Sequence, residues 1–195
     1  DNSEEGLKES EVKGWLYKRT PYNILRYKDI FNFAKMNNWA SMQASGDYFL
    51  FLNDDTEVIS KDWLEAMLEH AQRPDVGVVG AKLLYPDGSI QHAGMFLVDY
   101  GGGARHAFRH LPGSSDGYFG LLKLVRDCSA VTGACFMVER NILKKLGGFD
   151  ETYRVECNDT DFCLRAIEAG YVIVWTPFAV LYHHEFGTRT ETNVS

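Results

Sequence analysis

Apolar residues fall along this chain in two alternating periods. Five consecutive apolar or aromatic positions, Tyr48 to Leu52, predict a strand over 47–53, apolar on both faces like strands buried in parallel sheets. Similar runs predict strands over 76–85 (VGVVGAKLLY), 90–98 (IQHAGMFLV), 128–140 (CSAVTGACFMVER) and 171–185 (YVIVWTPFAVLYHHE), with a turn at 86–89. A shorter strand is expected over 22–27 (YNILRY). Between these runs the spacing changes to that of helices. Residues 29–46 place Phe33, Met36, Ala40 and Ala44 near helical spacing, with Gly46 as the stop. Residues 60–75 put Trp63, Met67 and His70 on one stripe, with Ser60 as the N-cap and Pro74 just past the end. A short helix over 140–151 closes at Gly147 and Gly148. Another, over 158–170, is capped by Asn158 or Asp159, turns Phe162, Ala166 and Ile167 inward, and stops at Gly170. Residues 1–20 read as a charged, weakly helical lead-in, and 99–120 as a long glycine-rich loop, functional or mobile.

Strands alternating with helices define an α/β domain, expected to span residues 1–195 as one unit. In such sheets ligands bind where the carboxyl ends of strands meet loops. The composition, 45% hydrophobic and 24% charged, fits an ordinary globular core. A net charge of −7 argues against a nucleic-acid partner, and an anionic small ligand then needs a metal ion or a few placed cations. No apolar run is long enough for a transmembrane segment, and the polar, acidic start is unlike a signal peptide. Cys128, Cys135, Cys157 and Cys163 form no CxxC pair and read as reduced thiols of a cytoplasmic protein.

Three constellations carry candidate chemistry. The strand at 47–53 runs into Asn53, Asp54 and Asp55. Adjacent carboxylates repel, and a hard divalent cation relieves that repulsion; a solvated acidic turn is the plainer alternative. The segment ECNDTD gathers Glu156, Asn158, Asp159 and Asp161 at a helix start. Capping accounts for one such carboxylate, and general-base chemistry is the other use. His183 and His184 end the last strand, and alternation lets only one of them reach a given site, either as a metal ligand beside Asp55 or as a structural group. Arg105, His106, Arg109 and His110 make the glycine-rich loop basic. No GxGxxG, GxSxG, HExxH or GxxxxGK[ST] occurs, which removes the common dinucleotide, hydrolase, zincin and P-loop readings.

ASGDYFLFLNDDTEVIS, GGFDE, NDTDFCLRAIEAGY and YHHE, in this order, resemble family 2 glycosyltransferases over roughly residues 28–187, and most closely bacterial polysaccharide-building, rhamnosyltransferase-like members. The resemblance implies the GT-A fold, a mixed, mostly parallel sheet flanked by helices, N-terminally incomplete because the family's opening base-binding strands have no match here. It implies an Mn²⁺ or Mg²⁺ cofactor, a nucleotide-diphosphate sugar donor, and a carbohydrate or glycolipid acceptor. It implies inverting transfer, and the chain is expected in the cytoplasm, either free or peripheral at the inner face of the membrane. By position it makes Asp55 the metal ligand and places Asp54 near the donor ribose. Asp159 becomes the catalytic base, with Asn158 where the family has Glu. His183 becomes the metal-binding histidine, and Asn38 lines the nucleotide pocket. The unmatched first half fits either a piece of a larger chain or a degenerate member. It leaves a second reading, a non-catalytic binding module of the same fold. A third, a metal-dependent nucleotidyltransferase, lacks its phosphate loop.

Overall fold

The computed structural model describes residues 22–99 and 103–185. The lead-in expected over 1–20 lies outside them. In chain order the elements are α1 (Phe33–Gln43), β1 (Tyr48–Leu52), β2 (Thr56–Val58), α2 (Trp63–Ala71), β3 (Val76–Leu84), β4 (Ile90–His92), β5 (Met95–Leu97) and β6 (Ala104–His106). A 3-10 segment (Tyr118–Lys123), β7 (Arg126–Cys128), β8 (Cys135–Glu139), α3 (Arg140–Lys145), α4 (Asn158–Glu168) and β9 (Val172–His183) follow. One sheet runs β1-β8-β3-β9-β2, with β4 paired to β3 and β7 to β9; β5 and β6 form a separate hairpin.

The sheet is mixed, as expected, but it is not mostly parallel. Among the described residues only β3 and β9 run parallel; β1–β8, β8–β3, β3–β4, β9–β2 and β7–β9 are antiparallel. A doubly apolar run reports burial and not direction. Direction follows from the connection: the tight turn after β3, with Tyr85 N–H bonded to Ser89 O, folds β4 straight back, whereas a long excursion returns β9 parallel.

Both faces of the sheet are covered. Met67 and Ala71 of α2 pack on Val76, Val79, Ala81, Leu83, Val174 and Leu181. On the other face α1, α3 and α4 bring Ala34, Leu143, Phe162 and Ala166 against Val78, Phe136 and Trp175. Phe149 stands among Phe51, Phe136 and Phe162, with ring centroids 5.0, 5.7 and 5.3 Å away. At the centre, Gly80 of β3 lets Val131 lie directly on the strand: a Cβ at Gly80 would sit 2.4 Å from the Val131 Cβ. That contact seats the segment 129–134 between β7 and β8.

Several local expectations change. Residues 22–27 form no strand; Tyr27 packs its ring against Trp39 of α1 instead. Helix α1 begins at Asn32, whose side chain accepts the Lys35 N–H, and ends before Gly46. Ser60 does not cap α2; Asp62 precedes that helix, and Ser60 Oγ accepts the Val180 N–H of β9. Neither Asn158 nor Asp159 caps α4. Cys157, in a left-handed conformation (φ 66°), precedes it, and Ile167 points outward while Phe162, Cys163 and Ala166 are buried. The run 90–98 breaks at Gly94 (φ 78°) into strands of two different sheets, and 128–140 divides into β7, the 129–134 segment and β8. The 99–120 loop is largely pinned where it is described. It contributes β6, His110 N–H donates to Ile90 O, and the buried Lys82 donates through Nζ to Gly113 O at 2.7 Å.

The Gly80–Val131 contact is open to direct test. Gly80→Ala forces a methyl into backbone-close side-chain atoms, and overpacking of this kind costs about 1–3 kcal/mol. Denaturant unfolding is expected to show that loss, with partial recovery in the double variant Gly80→Ala, Val131→Gly, which removes the opposing Cβ.

Candidate active site

The acidic turn leaves the end of β1, and β9 ends beside it because β2, just past the turn, pairs with β9: Thr56 lies opposite His183. His184 N–H also donates to Asp55 O. This brings Asp55 Oδ1 to 3.1 Å from His183 Nε2, both side chains largely shielded from water. His183 Nδ1 lies 2.6 Å from Gln91 Oε1. The amide of Gln91 faces that way because its Nε2 donates to His183 O and to Glu185 Oε2. An imidazole facing an amide oxygen through Nδ1 carries its proton there, so the neutral ring turns the Nε2 lone pair toward Asp55. Asp55 Oδ1 is buried with no hydrogen-bond donor of acceptable geometry, despite the short separation. Two acceptors therefore converge on one point, with Asn53 Nδ2 at 3.4 Å from the ring nitrogen as the nearest amide. A buried carboxylate oxygen without a donor is costly, and a cation satisfies it. Among the described residues no cluster of three or more His, Cys, Asp or Glu side chains is available to a metal. One carboxylate and one imidazole, with diphosphate oxygens to complete the shell, fit Mn²⁺ or Mg²⁺, and the Gln91 bond is the outer contact a metal-binding histidine ordinarily has.

Of the adjacent histidines, His183 meets Asp55. His184 turns to Glu57 at 3.5 Å and is well exposed. Asp54 is exposed beside the turn. Asp159 opens α4 with Oδ2 accepting the Gly133 N–H at 2.8 Å and Oδ1 accepting the Thr160 N–H at 2.7 Å. The 132–134 segment joins this carboxylate to the acidic turn: Gly133 binds Asp159, and Ala134 O accepts the Asn53 N–H at 3.0 Å. Asn38 holds the GGFDE segment. Its Oδ1 accepts the Phe149 N–H (2.9 Å), and its Nδ2 donates to Phe149 O (2.8 Å) and Glu151 Oε1 (3.2 Å). Gly148, at φ 76°, must lack a side chain there, since a Cβ would lie 2.5 Å from Asn38 Oδ1.

Gln91 was not singled out by sequence reasoning. Its only signal was a polar residue inside an apolar strand, and its role depends on β4 meeting the end of β9. The same strand carries His92, fully buried, whose ring reaches His106 of β6 at 2.9 Å. Burial pushes the His92 imidazole well below its ordinary value, and pushes His106 down as well.

The profile of glycosyl transferase family group 2 matches residues 48–192, from the first residue of β1 past the end of β9. The chain belongs to this family. An uncharacterized protein, y4gI, of Sinorhizobium fredii is 48% identical over 85% of this glycosyltransferase-family chain and 18% of its own length. The O-antigen biosynthesis protein RfbC of Myxococcus xanthus is 44% identical over 82% of the chain and 12% of its own. The chain thus spans under a fifth of these relatives. A solved structure of GalNAc-T7 with UDP, GalNAc and Mn²⁺ superposes with TM-score 0.63 at 13% identity, over 82% of this chain and 32% of the other. The fold is that of the GT-A glycosyltransferases, with a mixed sheet between helices. Among the described residues no helix is long and apolar enough to cross a membrane.

The buried imidazole of His92 makes stability depend on pH. The folded protein keeps it neutral, while the unfolded chain protonates it near 6.5. The unfolded state therefore binds more protons below that value, and stability falls as pH drops, by up to about 1.4 kcal/mol per pH unit for one such group. Denaturant melts taken stepwise from pH 7.5 downward are expected to show this decline, and a shallower one in His92→Gln.

Proposed function

We propose that this chain houses the catalytic centre for inverting transfer of a sugar from a nucleotide-diphosphate donor to an acceptor hydroxyl in polysaccharide or glycoconjugate synthesis, aided by a divalent cation. The observation that carries the reading is the buried, donorless Oδ1 of Asp55 facing the lone pair of His183 Nε2. Membership in the glycosyltransferase family supports it, and so does the Mn²⁺ and UDP bound by the GalNAc-T7 structure of the same fold.

Asp55 and His183 would hold the ion, and Gln91 keeps the histidine in the tautomer that can ligate. When bound, the cation offsets negative charge that develops on the departing nucleoside diphosphate. Asp54, exposed beside the turn, would meet the donor ribose. Asn38 acts on the donor pocket through the 147–151 segment it clamps. Asp159 accepts the proton of the attacking hydroxyl; its carboxylate is aimed by the Gly133 and Thr160 amides, so it needs little reorganisation. The acceptor is a carbohydrate or a glycolipid, met at the inner face of the membrane by a chain acting as one domain of a larger protein.

Two substitutions separate the roles. Asp55→Ala is expected to abolish Mn²⁺-dependent binding of UDP in calorimetric titration. Asp159→Asn is expected to leave that binding intact and to slow transfer by about 10²–10⁴-fold, the usual worth of a placed general base. Transfer at the wild-type rate in Asp159→Asn would sink the base assignment. A wild-type chain that binds UDP no better with Mn²⁺ than without it would instead be a non-catalytic module of the same fold.

A further inference from the structure

A second histidine pair stands beside this centre, used neither by the metal pair nor by Asp159. His92 Nε2 accepts the Gly94 N–H at 3.3 Å and lies 3.5 Å from the Thr132 N–H, on the same 132–134 segment that holds Asp159. A neutral imidazole has one N–H, so with Nε2 accepting, the proton of His92 is on Nδ1. That Nδ1 is 2.9 Å from Nδ1 of His106. His92 therefore donates, His106 accepts, and His106 must carry its own proton on Nε2. No described residue hydrogen-bonds that Nε2, and it is not among the buried polar atoms left without a partner. The charges acting on the His106 ring are those of Arg109, Asp159, Glu185 and His183; His92, on its inner side, also feels Arg126. Through His92 the ring stands next to Gln91, which holds His183, and next to the Thr132–Gly133 backbone, which holds Asp159. Its strand is fixed in the β5–β6 hairpin, where His106 lies opposite Met95.

We propose that His106 donates its Nε2–H to a neutral hydroxyl of the acceptor sugar beside Asp159, and that His92 is the positioning residue that fixes the tautomer. This rests on the sugar-transfer reading above and names the chemistry of its acceptor subsite. The ligand class follows from the flanking groups. A hydroxyl can accept from His106 and donate to a carboxylate at once. A phosphate oxygen can only accept, and it would face the like charges of Asp159 and Glu185, with Arg109 already paired to Glu185 at 3.3 Å. Burial keeps both rings uncharged near neutral pH, which suits a neutral partner over an anion.

The test is imidazole ¹⁵N NMR on the full chain, with His106→Ala for assignment. The wild-type protein is expected to show His106 in the Nε2–H tautomer and to lose that preference in His92→Gln; packing alone would not move it. Methyl glycosides of hexoses and 6-deoxyhexoses are expected to shift the His106 resonance, and inorganic pyrophosphate to leave it in place. His106→Ala should weaken glycoside binding about tenfold, the worth of one hydrogen bond of this kind, with Mn²⁺-dependent UDP binding unchanged. An Nδ1–H tautomer at His106, a response to pyrophosphate without one to glycosides, or no glycoside response at all would overturn the proposal. The wild-type tautomer is decisive even where His92→Gln fails to fold. Absent UDP binding in the wild type counts against the transfer reading, while the tautomer and glycoside readouts still judge this one.

Discussion

The close seating of Val131 on Gly80 is the constraint from which the rest of the site follows. It lets the 129–134 segment settle onto the middle of the sheet, where its backbone serves three neighbours in succession. Thr132 N–H faces His92, Gly133 N–H holds the Asp159 carboxylate, and Ala134 O takes the Asn53 N–H at the mouth of the acidic turn. Side chains far apart in the chain are thereby registered to one short stretch of backbone. A segment standing off by the width of a methyl group would loosen all three at once, which is why a glycine on a central strand matters more here than any single surface ion pair.

The electrostatics beside the acidic turn rest on an imidazole and a buried carboxylate oxygen without a donor, not on a basic patch. The chain carries a net charge of −7, and the donorless oxygen of Asp55 is where the proposed cation would fit. Arg109 bonds Tyr85 Oη at 2.6 Å and also faces Glu185. Arg126 is spread over the Trp175 ring and bonded to Ala93 O, held by packing and stacking against the core. Arg109, from the 99–120 loop, and Arg126, from β7, are thus both engaged by neighbouring groups of the fold.

Much of the architecture could be read from the order of residues. The doubly apolar runs located β1, β3, β8 and β9, and the helical stripes located α1, α2, α3 and α4. The family's motifs brought Asp55, Asp159 and His183 into view before any coordinates. What failed did so for physical reasons. YNILRY has strand-like residues but forms no strand, and Tyr27 packs its ring on Trp39 of α1. Ser60 and Asp159 look like caps, but tertiary partners, Val180 and Gly133, claimed their oxygens. The run at 90–98 is continuous in hydrophobicity, yet one glycine with positive φ breaks it in two.

Burial and period are local properties, so the sequence alone located most of the strands and helices and the polar residues that stand at strand ends. Strand direction, the choice of His183 over His184, the part played by Gln91 and the pairing of His92 with His106 are relations between residues 14 to 130 positions apart. Only the tertiary structure decides these. A one-residue change of register between β2 and β9 would turn the other histidine toward Asp55, and no periodicity within either strand encodes that register.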